Sequence, residues 1–483
     1  MLALKELDTR RIRRISSVGD THKIKFAQYL TPLEIASFMA QITMRYFKPS
    51  AMVDVLDPGA GTGILSCSLV NELANHKKTG LQNKPGLQSK PCINLDAFEI
   101  DTSIIGELEQ SYEALKTIGN INCSIYNKDF ISDVGAELAW GINKQYDIII
   151  MNPPYKKINT NTIYKKVLYD VSIDTVNTYS AFIALGIKML KENGILTAIV
   201  PRSFCNGLYF LPFRKMLYDN AAIKHLHIFD SRKDNFKEEN VLQENIIIVL
   251  KKTTDKSDTI TITYSKGKKF TEYQERDFSF ADIIDDIDKQ YYISIPSYDQ
   301  KTKIIPLTYT NNELGFEIST GPIVDFRVKE KLRSDTSGVP LLYAVHIRNQ
   351  NITWPLVSKK PNSINLDNIE KYKVCFKKGY YILLKRFSSK EEKHRVQATL
   401  LTPEDLPTEY FTVENHLNII HNNKCGLDKD LAISLVNYLN SDYCDSIFRM
   451  FSGHTQVNAT DLRNMKYPCL KQFRTGVGKC ATI

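Results

Sequence analysis

The sequence lacks the features that mark secreted, membrane-spanning and metal-binding proteins. Its nine cysteines are scattered along 483 residues, and no two of them stand at C-x-x-C spacing. This distribution disfavours both a disulfide framework and a zinc site, so we expect no bound metal. No apolar run approaches the roughly 20 residues that a transmembrane helix needs. The N-terminus has no apolar signal-peptide core after its charged residues, which predicts a soluble cytoplasmic protein with no membrane partner.

Acidic residues are fewer than basic residues, but the imbalance is small. Lysine and arginine number 63 against 54 aspartates and glutamates, which gives a formal net charge of +9. Such an excess suits a polyanionic partner, although many proteins that bind no polyanion are equally basic. Composition therefore raises the expectation of nucleic-acid binding only slightly. The length of the chain predicts two or three domains.

The first half of the chain alternates short apolar runs with helical patterns. Strands are predicted at residues 53–56, 93–100, 123–127, 146–151, 195–200, 225–229 and 246–250, and the clearest helices at residues 64–74 and 179–191. This alternation predicts an α/β fold, in which a parallel sheet carries helices on both faces. Ligands of such sheets bind at the carboxyl ends of the strands. The polar clusters described below all follow predicted strands.

The alternation ends near residue 250, and the composition then changes. Residues 251–300 are polar and basic, and we interpret them as a linker between domains. Residues 301–483 are β-rich and irregular, with helices around residues 430–443. The predicted organisation is therefore an α/β domain over residues 1–250, a connection, and a smaller α+β domain over residues 301–483.

A glycine-rich segment follows the first predicted strand and opens a helix. It reads Asp57-Pro58-Gly59-Ala60-Gly61-Thr62-Gly63. Glycines at such a turn let the backbone approach a ligand that a β-carbon would exclude. Dinucleotide-binding enzymes use a similar loop, but their G-x-G-x-x-G spacing is absent here. A simple structural turn is the remaining alternative.

Acidic residues end the next two predicted strands. Glu99 is placed where a carboxylate can accept hydrogen bonds from both hydroxyls of a ribose. Asp129 is placed where it can accept from an adenine amino group, and the neighbouring Phe130 can lie against the adenine ring. The alternative for each acid is a helix cap or a solvated strand end.

The tetrapeptide Asn152-Pro153-Pro154-Tyr155 follows the fourth predicted strand directly. Consecutive prolines fix the backbone and remove its amide donors. The side-chain oxygen of Asn152 and the carbonyl of Pro153 can then both accept from one amino group, which favours a pyramidal nitrogen able to attack a methyl sulfonium. Tyr155 offers a face on which a base can stack, worth roughly 1–3 kcal/mol. This chemistry requires the base to be flipped out of a duplex.

Together these motifs resemble those of the amino-group DNA methyltransferases of restriction–modification systems, in their gamma arrangement. In that arrangement a cofactor segment is followed by the glycine-rich loop, the catalytic tetrapeptide and a target-recognition region, and this chain has the same order. Residues 26–32 resemble the cofactor segment. Phe236 resembles a second aromatic residue that sandwiches the flipped base. The resemblance is specific over about residues 20–250.

The resemblance implies a Rossmann-like, S-adenosylmethionine-dependent enzyme that methylates the N6 amino group of adenine in double-stranded DNA. It also implies a separately encoded cognate restriction endonuclease, a monomeric state, a prokaryotic cytoplasm, and a target-recognition role for residues 301–483. Catalytic roles are implied for Asn152, Pro153, Pro154, Tyr155 and Phe236. Contacts to S-adenosylmethionine are implied for Gln28, Tyr29, Thr31, Pro32, Asp57, Gly59, Gly61, Glu99, Ile100, Asp129 and Phe130.

Several alternatives remain open at this point. Methylation of cytosine N4 in DNA, of RNA or of a protein glutamine uses related motifs, and a DNA-binding module that has lost catalysis is a non-enzymatic alternative. His225 and His227 lie on one face of a predicted strand and could suggest a metal. No third ligand accompanies them at a plausible spacing, so we expect them to be hydrogen-bonded or exposed.

Overall fold

The structure is a computed structural model, and it divides the chain into two compact units, Met1–Ser294 and Ile295–Ile483. The residues that it describes are 2–17, 30–75, 91–229, 245–256, 259–265, 270, 273–285, 289–296, 309–388, 392–451 and 456–469. Within these ranges, no helix is both long and apolar enough to cross a membrane.

The first unit is built on a nine-stranded sheet with the strand order β3-β2-β1-β4-β5-β7-β6-β8-β9. Its strands are β1 (Met52–Pro58), β2 (Cys92–Phe98), β3 (Ile121–Tyr126), β4 (Tyr146–Met151), β5 (Leu190–Pro201), β6 (Ala221–Phe229), β7 (Asn245–Lys252), β8 (Ile260–Ser265) and β9 (Tyr273–Phe278). Strands β1 to β5 pair in parallel, whereas β7 runs antiparallel between β5 and β6. The strand order reverses between β1 and β4, and ligands bind at such a switch point.

Helices cover both faces of this sheet. They are α1 (Leu2–Ser17), α2 (Leu33–Tyr46), α3 (Ile64–Asn75), α4 (Ile105–Leu115), α5 (Phe130–Ala139), α6 (Ile163–Asp170), α7 (Thr178–Met189), α8 (Leu211–Asn220) and α9 (Phe280–Ile283). Two further short strands, β10 (Ile284–Asp285) and β11 (Tyr292–Ile293), form a pair. Short 3-10 turns occupy Thr102–Ile104, Arg202–Cys205 and Leu208–Phe210.

Alternate residues of β4 show how the two faces are buried. Ile148 and Ile150 join a fully buried cluster with α2 and α3. Ile149 and Met151 point to the opposite face, where Gly186 of α7 lets that helix approach so closely that an added β-carbon would lie 2.8 Å from Leu196. A strand apolar on both faces is the signature of a covered parallel sheet. The predicted α/β fold with helices on both faces is therefore confirmed.

The segment interpreted as a linker, residues 251–300, contains two strands of this sheet. β8 pairs in parallel with β6, and β9 pairs with β8. The threonines of β8 give its sequence a polar character, but they are buried. The hydroxyl of Thr263 is hydrogen-bonded to both His225 and His227, at 2.7 and 2.8 Å. The first unit therefore extends well beyond residue 250. The hydroxyl groups of β8 can be buried because histidines on the neighbouring strand hydrogen-bond to them.

The second unit is built from shorter strands. They are β12 (Glu317–Thr320), β13 (Leu332–Arg333), β14 (Val339–Leu342), β15 (Ile347–Arg348), β16 (Asn351–Ile352), β17 (Ser363–Ile364), β18 (Phe376–Lys377), β19 (Tyr381–Lys385), β20 (Ala398–Leu401), β21 (Tyr410–Val413) and β22 (Leu417–His421). Its helices are α10 (Asn368–Val374), α11 (Lys429–Leu439), α12 (Asp442–Phe451) and α13 (Ala459–Asn464), with 3-10 turns at Asp325–Arg327, Lys329–Lys331 and Ala344–His346.

The strands of the second unit form a four-stranded sheet, β12-β22-β19-β20, a five-stranded sheet, β13-β17-β14-β21-β18, and the pair β15-β16. Residues of α11, α12 and α13, including Leu435, Phe448 and Leu462, form one buried cluster with Ile382 and Ile420 of the four-stranded sheet. This arrangement confirms the predicted β-rich α+β fold for the C-terminal part of the chain.

Candidate active site at the carboxyl ends of β1 to β4

A cavity of about 310 Å³ opens where the first four strands end. That volume lies within the range of small-molecule sites. Most of the residues implied by the sequence motifs line it: Thr31, Gly59, Gly61, Glu99, Ile100, Asp129, Phe130, Asn152 and Pro154. Tyr164, Thr178 and Phe182 are among the lining residues that no motif indicated. The sheet therefore brings together motifs that are distant in the chain, such as Thr31 and Asn152, which are 121 residues apart.

The glycine-rich turn leads from β1 into α3 by a left-handed path. Gly59 and Gly61 have φ values of +77° and +57°, which residues with a β-carbon rarely adopt. The amides of Gly59 and Ala60 both donate to the carbonyl of Phe98, at 2.8 and 2.9 Å. These bonds tie the turn to the end of β2. The backbone of the turn is thereby held at the cavity wall without side chains that would fill the space.

Asp57, at the end of β1, is a buried carboxylate with an unused acceptor. Its Oδ2 accepts from the amide of Ser66 at 3.3 Å. Its Oδ1 is buried and has no hydrogen-bond partner among the described residues. Burial, with a smaller contribution from the nearby Glu99, raises the pKa of Asp57 to about 7. A buried carboxylate with an open oxygen is suited to a cationic donor, such as an ammonium group.

Glu99, at the end of β2, is held by the backbone on both sides. Its Oε2 accepts from the amide of Gly61 and its Oε1 from the amide of Asp101, each at 2.8 Å. Burial raises the pKa of Glu99, whereas these two amides oppose the rise. A carboxylate has about four acceptor positions, so Glu99 can accept hydrogen bonds from these two backbone amides and also from the hydroxyls of a ligand.

Asp129 and Phe130 begin α5 after β3. Asp129 caps the helix, since its Oδ1 accepts from the amide of Ser132 at 2.8 Å, and its Oδ2 accepts from the hydroxyl of Tyr164. Asp129 therefore caps a helix, as the alternative interpretation predicted, and it also lines the cavity. Phe130 is buried, with its ring centroid 4.8 Å from that of Phe182. Together these two rings provide an apolar wall.

The tetrapeptide after β4 places Asn152 at the centre of a hydrogen-bonded chain. The side-chain nitrogen of Asn152, Nδ2, donates to Thr31 Oγ1 at 3.0 Å, and the hydroxyl of Tyr155 lies 3.0 Å from Asn152 Oδ1. The same hydroxyl lies 3.0 Å from the carbonyl of Ile199. The Asn152 side chain is thus oriented from both ends. Sequence reasoning assigned Tyr155 only a stacking face and did not anticipate the contact of its hydroxyl with Asn152.

Thr178, the first residue of α7, anchors the tetrapeptide loop. Its hydroxyl donates to the carbonyl of Pro154 and accepts from the amide of Lys156 at 2.9 Å. Its own amide donates to the carbonyl of Lys156 at 2.8 Å. Pro153, within this loop, is buried. A threonine distant in sequence therefore fixes the backbone that presents Asn152, and no sequence motif indicated it.

The predicted first cofactor segment is only partly within the described residues. Thr31 lines the cavity and contacts Asn152. Pro32 immediately precedes α2, and its carbonyl accepts from the amide of Ala36 at 3.0 Å. Arg11 of α1 contacts the adjacent carbonyl of Leu30 at 3.4 Å. The predicted residues Gln28, Tyr29 and Phe236 lie outside the described ranges, so their roles stay predictions.

The two histidines of β6 are buried and hydrogen-bonded. His225 and His227 contact hydroxyl groups of β8, and Tyr46 contacts His225 Nδ1 at 3.1 Å. Burial lowers the pKa of His225 to about 3, so its ring is neutral. No group of three His, Cys, Asp or Glu side chains in the described part of the chain is arranged to hold a metal ion.

Comparison with known proteins decides the family. The model of the Eco57I restriction-modification methylase family matches residues 62–236. The type II methyltransferase M.BsuBI of Bacillus subtilis is 39% identical over 459 residues, which cover 92% of this chain and 88% of that protein. The chain belongs to the type II restriction–modification methyltransferases. A second member, M.PstI of Providencia stuartii, is 33% identical over 471 residues, covering 95% of this chain and 90% of that protein.

Among solved structures, a type I restriction-modification methyltransferase subunit from Streptococcus thermophilus aligns with a TM-score of 0.39 at 19% identity. The alignment covers 52% of this chain and 50% of that one.

S-adenosylmethionine fits the cavity of this type II methyltransferase. Glu99 lines the cavity and suits the ribose hydroxyls, whereas Asp57 is fully buried and is not one of the lining residues. The apolar wall of Phe130 and Phe182 suits a planar adenine ring, with Asp129 at the cavity edge. The cavity thus offers the ribose and the adenine ring of the methyl donor groups of matching chemistry.

Proposed function

We propose that this type II methyltransferase transfers a methyl group from S-adenosylmethionine to the N6 amino group of an adenine flipped out of double-stranded DNA. The observation that carries the proposal is the orientation of Asn152 at the cavity wall by Thr31 and Tyr155. An asparagine oxygen held in this way is suited to accept from an exocyclic amino group. The order of motifs along the chain supports adenine as the target base.

In the proposed mechanism, Asn152 Oδ1 and the carbonyl of Pro153 accept hydrogen bonds from the two hydrogens of the target amino group. An amide oxygen can accept two hydrogen bonds, so a contact from Tyr155 is compatible with one from the base. When bound, S-adenosylmethionine supplies the methyl group and a positively charged sulfur for an in-line displacement. Thr178 holds the loop, and the residues of the cavity supply positioning and electrostatics rather than a nucleophile.

The remaining site residues have proposed roles on the donor side. Asp57 pairs with the ammonium of S-adenosylmethionine, Glu99 accepts from its ribose, and Asp129 accepts from its adenine amino group. Gly59 and Gly61 let the backbone approach the donor. The ring of Tyr155 is proposed to stack on the flipped base, with Phe236 as its partner across the base.

We propose that the second unit binds DNA through two loops, residues 321–334 and 353–362, which we call the paired loops. Lys360 of one loop contacts Asp325 of the other at 2.8 Å. The buried side chain of Asn362 joins them, since its amide donates to the carbonyls of Ser334 and Leu356 at 2.8 and 3.0 Å. The paired loops are therefore held together by their own contacts before any partner arrives.

The composition of the paired loops favours a polyanion with apolar surface between its charges. They carry six cations against two carboxylates. Phe326 and Val357 are 65% and 103% exposed at their tips. Cations provide phosphate contacts, and exposed apolar side chains can contact thymine methyl groups or insert between base pairs. This combination supports duplex DNA as the partner of the second unit. A separately encoded restriction endonuclease would share the DNA site.

A transfer assay tests the class of substrate. Purified protein is incubated with tritiated S-adenosylmethionine and with plasmid or genomic DNA, total RNA or a protein extract. Labelling of duplex DNA that far exceeds labelling of RNA and protein is the expected result. Preferential labelling of RNA or of protein would contradict the proposal, as would the absence of label in diverse DNAs from a protein shown by calorimetry to bind S-adenosylmethionine.

A further inference from the structure

Asp129 receives hydrogen bonds from two directions at the edge of the cavity. The amide of Ser132, in the first turn of α5, donates to Oδ1, and the hydroxyl of Tyr164, in the first turn of α6, donates to Oδ2. Tyr164 lines the cavity beside Asp129. The carboxylate is therefore oriented by two elements, one before and one after the catalytic tetrapeptide in the chain.

The packing of α6 keeps Tyr164 in place. Gly135 of α5 lies against Val167 of α6, and an added β-carbon on Gly135 would lie only 2.2 Å from Val167 Cγ1. Leu168 is fully buried beneath the helix. Lys165 donates to the carbonyl of Thr175 at 3.1 Å on the other side. Tyr164 is consequently carried by a helix that is packed firmly against its neighbours.

Two donors on Asp129 restrict what a ligand can offer to it. An ionised carboxylate only accepts hydrogen bonds, and the bonds from Ser132 and Tyr164 fix the rotation of the Asp129 carboxylate. A ligand that reaches the remaining acceptor positions must present a donor. The 6-amino group of adenine is such a donor, whereas the 6-oxo group of hypoxanthine would place an acceptor against the carboxylate.

We propose that Tyr164 is a positioning residue that orients Asp129 so that the methyl-donor site selects adenine over hypoxanthine. The inference rests on the proposed function in one respect, which is that the adenine of S-adenosylmethionine binds at Asp129. It adds a residue that no motif indicates and a property, base discrimination at the donor site, that follows from its contact.

The test compares the binding of S-adenosylhomocysteine and S-inosylhomocysteine by calorimetry, in the wild type and in Tyr164→Phe. The wild type should bind the adenosyl compound more tightly. Tyr164→Phe, which keeps the ring and loses the hydroxyl, should reduce the ratio of the two dissociation constants by about three- to tenfold, the usual range for one hydrogen bond. Most of the change should appear in the adenosyl compound. A merely structural role would weaken both compounds equally and leave the ratio unchanged.

Tyr169→Phe is the matched control, because Tyr169 lies on the same helix and is 81% exposed. It should leave both dissociation constants unchanged. Asp129→Asn supplies a second arm: adding Tyr164→Phe to Asp129→Asn should no longer change the ratio, because the two residues act through one contact. Additive effects in the double variant would contradict the inference.

The outcomes separate the inference from the proposed function. A wild type that binds S-adenosylhomocysteine and methylates DNA, with a ratio that Tyr164→Phe does not alter, overturns the inference alone. A wild type that binds neither compound overturns the proposed use of the cavity, and with it the inference.

Discussion

The two units of this type II methyltransferase present their functional groups in opposite ways. In the first unit, parallel strands deliver the carboxylates of Glu99 and Asp129 and an oriented asparagine to one cavity. In the second, strands of two to five residues support paired loops whose apolar tips and cations face solvent. A small molecule is recognised by enclosure, where burial strengthens each polar contact. A polyanion is recognised by an exposed surface, where each contact contributes less and salt weakens it.

The largest effect should come from the enclosed site. Asn152→Ala removes the proposed acceptor for the target amino group, and we expect methyl transfer to fall on the order of 10³-fold, as for other oriented groups that stabilise a transition state. Binding of S-adenosylmethionine should stay within about twofold, because the donor contacts lie on other strands. Rates of tritium transfer and calorimetry measure the two quantities.

Asn159→Ala is a suitable control for that variant, since Asn159 lies in the same connection and is exposed. It should behave as the wild type. Transfer by Asn152→Ala within a few fold of the wild-type rate would show that Asn152 does not contact the reacting group.

The buried acid of the first unit predicts a dependence on pH. The pKa of Asp57 is raised to about 7, mainly by burial, so its carboxyl is protonated at lower pH and cannot pair with an ammonium. The affinity for S-adenosylmethionine should therefore be roughly tenfold weaker at pH 6 than at pH 7.5. Calorimetry at several pH values measures this slope.

Asp57→Asn keeps the shape of the side chain and removes its titration, so its affinity should be lower and nearly independent of pH. The pKa of Glu99 is also raised by burial, and any slope that remains in the variant reports on Glu99. A slope equal to that of the wild type would show that Asp57 is not the titrating group.

A smaller effect should separate the two roles of Tyr155. Tyr155→Phe keeps the stacking face and removes the hydroxyl near Asn152. We expect kcat to fall about fivefold, in keeping with the loss of one hydrogen bond, while KM for DNA changes little. Tyr155→Ala should lower kcat further and also raise KM for DNA. Wild-type kinetics in Tyr155→Phe would leave the hydroxyl without a role, and equal kinetics for the two variants would leave the ring without one.

The smallest single effect is expected in the second unit. Lys359→Gln removes one exposed cation of the paired loops, and we expect DNA affinity to fall about threefold at physiological salt. The slope of log affinity against log salt should decrease by roughly one, which is the signature of one phosphate contact. Lys116→Gln is the control, because Lys116 is an exposed cation in the first unit. Identical salt slopes for the two variants would contradict DNA binding through the paired loops.

The contrast between the units also explains how much could be predicted from the sequence. Asn152, Glu99 and Gly59 stand directly after strands, and a strand end fixes where a following residue lies in a parallel sheet. Tyr164 and Thr178 also reach the cavity, but they come from helices whose position depends on packing. Their contacts therefore could not be predicted from spacing.

Two further differences have the same physical origin. The polar threonines of β8 favour a linker in the sequence. These threonines can be buried because histidines on the adjacent strand β6 hydrogen-bond to Thr263. In the second unit, Asn362 joins two loops that are distant in sequence. Neither partner is local, so neither contact leaves a periodic pattern in the sequence.

The central claim concerns the atom that receives the methyl group. The most direct measurement is to treat unmethylated duplex DNA with the protein and S-adenosylmethionine, digest the DNA to nucleosides, and identify the methylated product by chromatography and mass spectrometry. The account predicts N6-methyldeoxyadenosine, and none of it with Asn152→Ala. N4-methyldeoxycytidine as the product would contradict it.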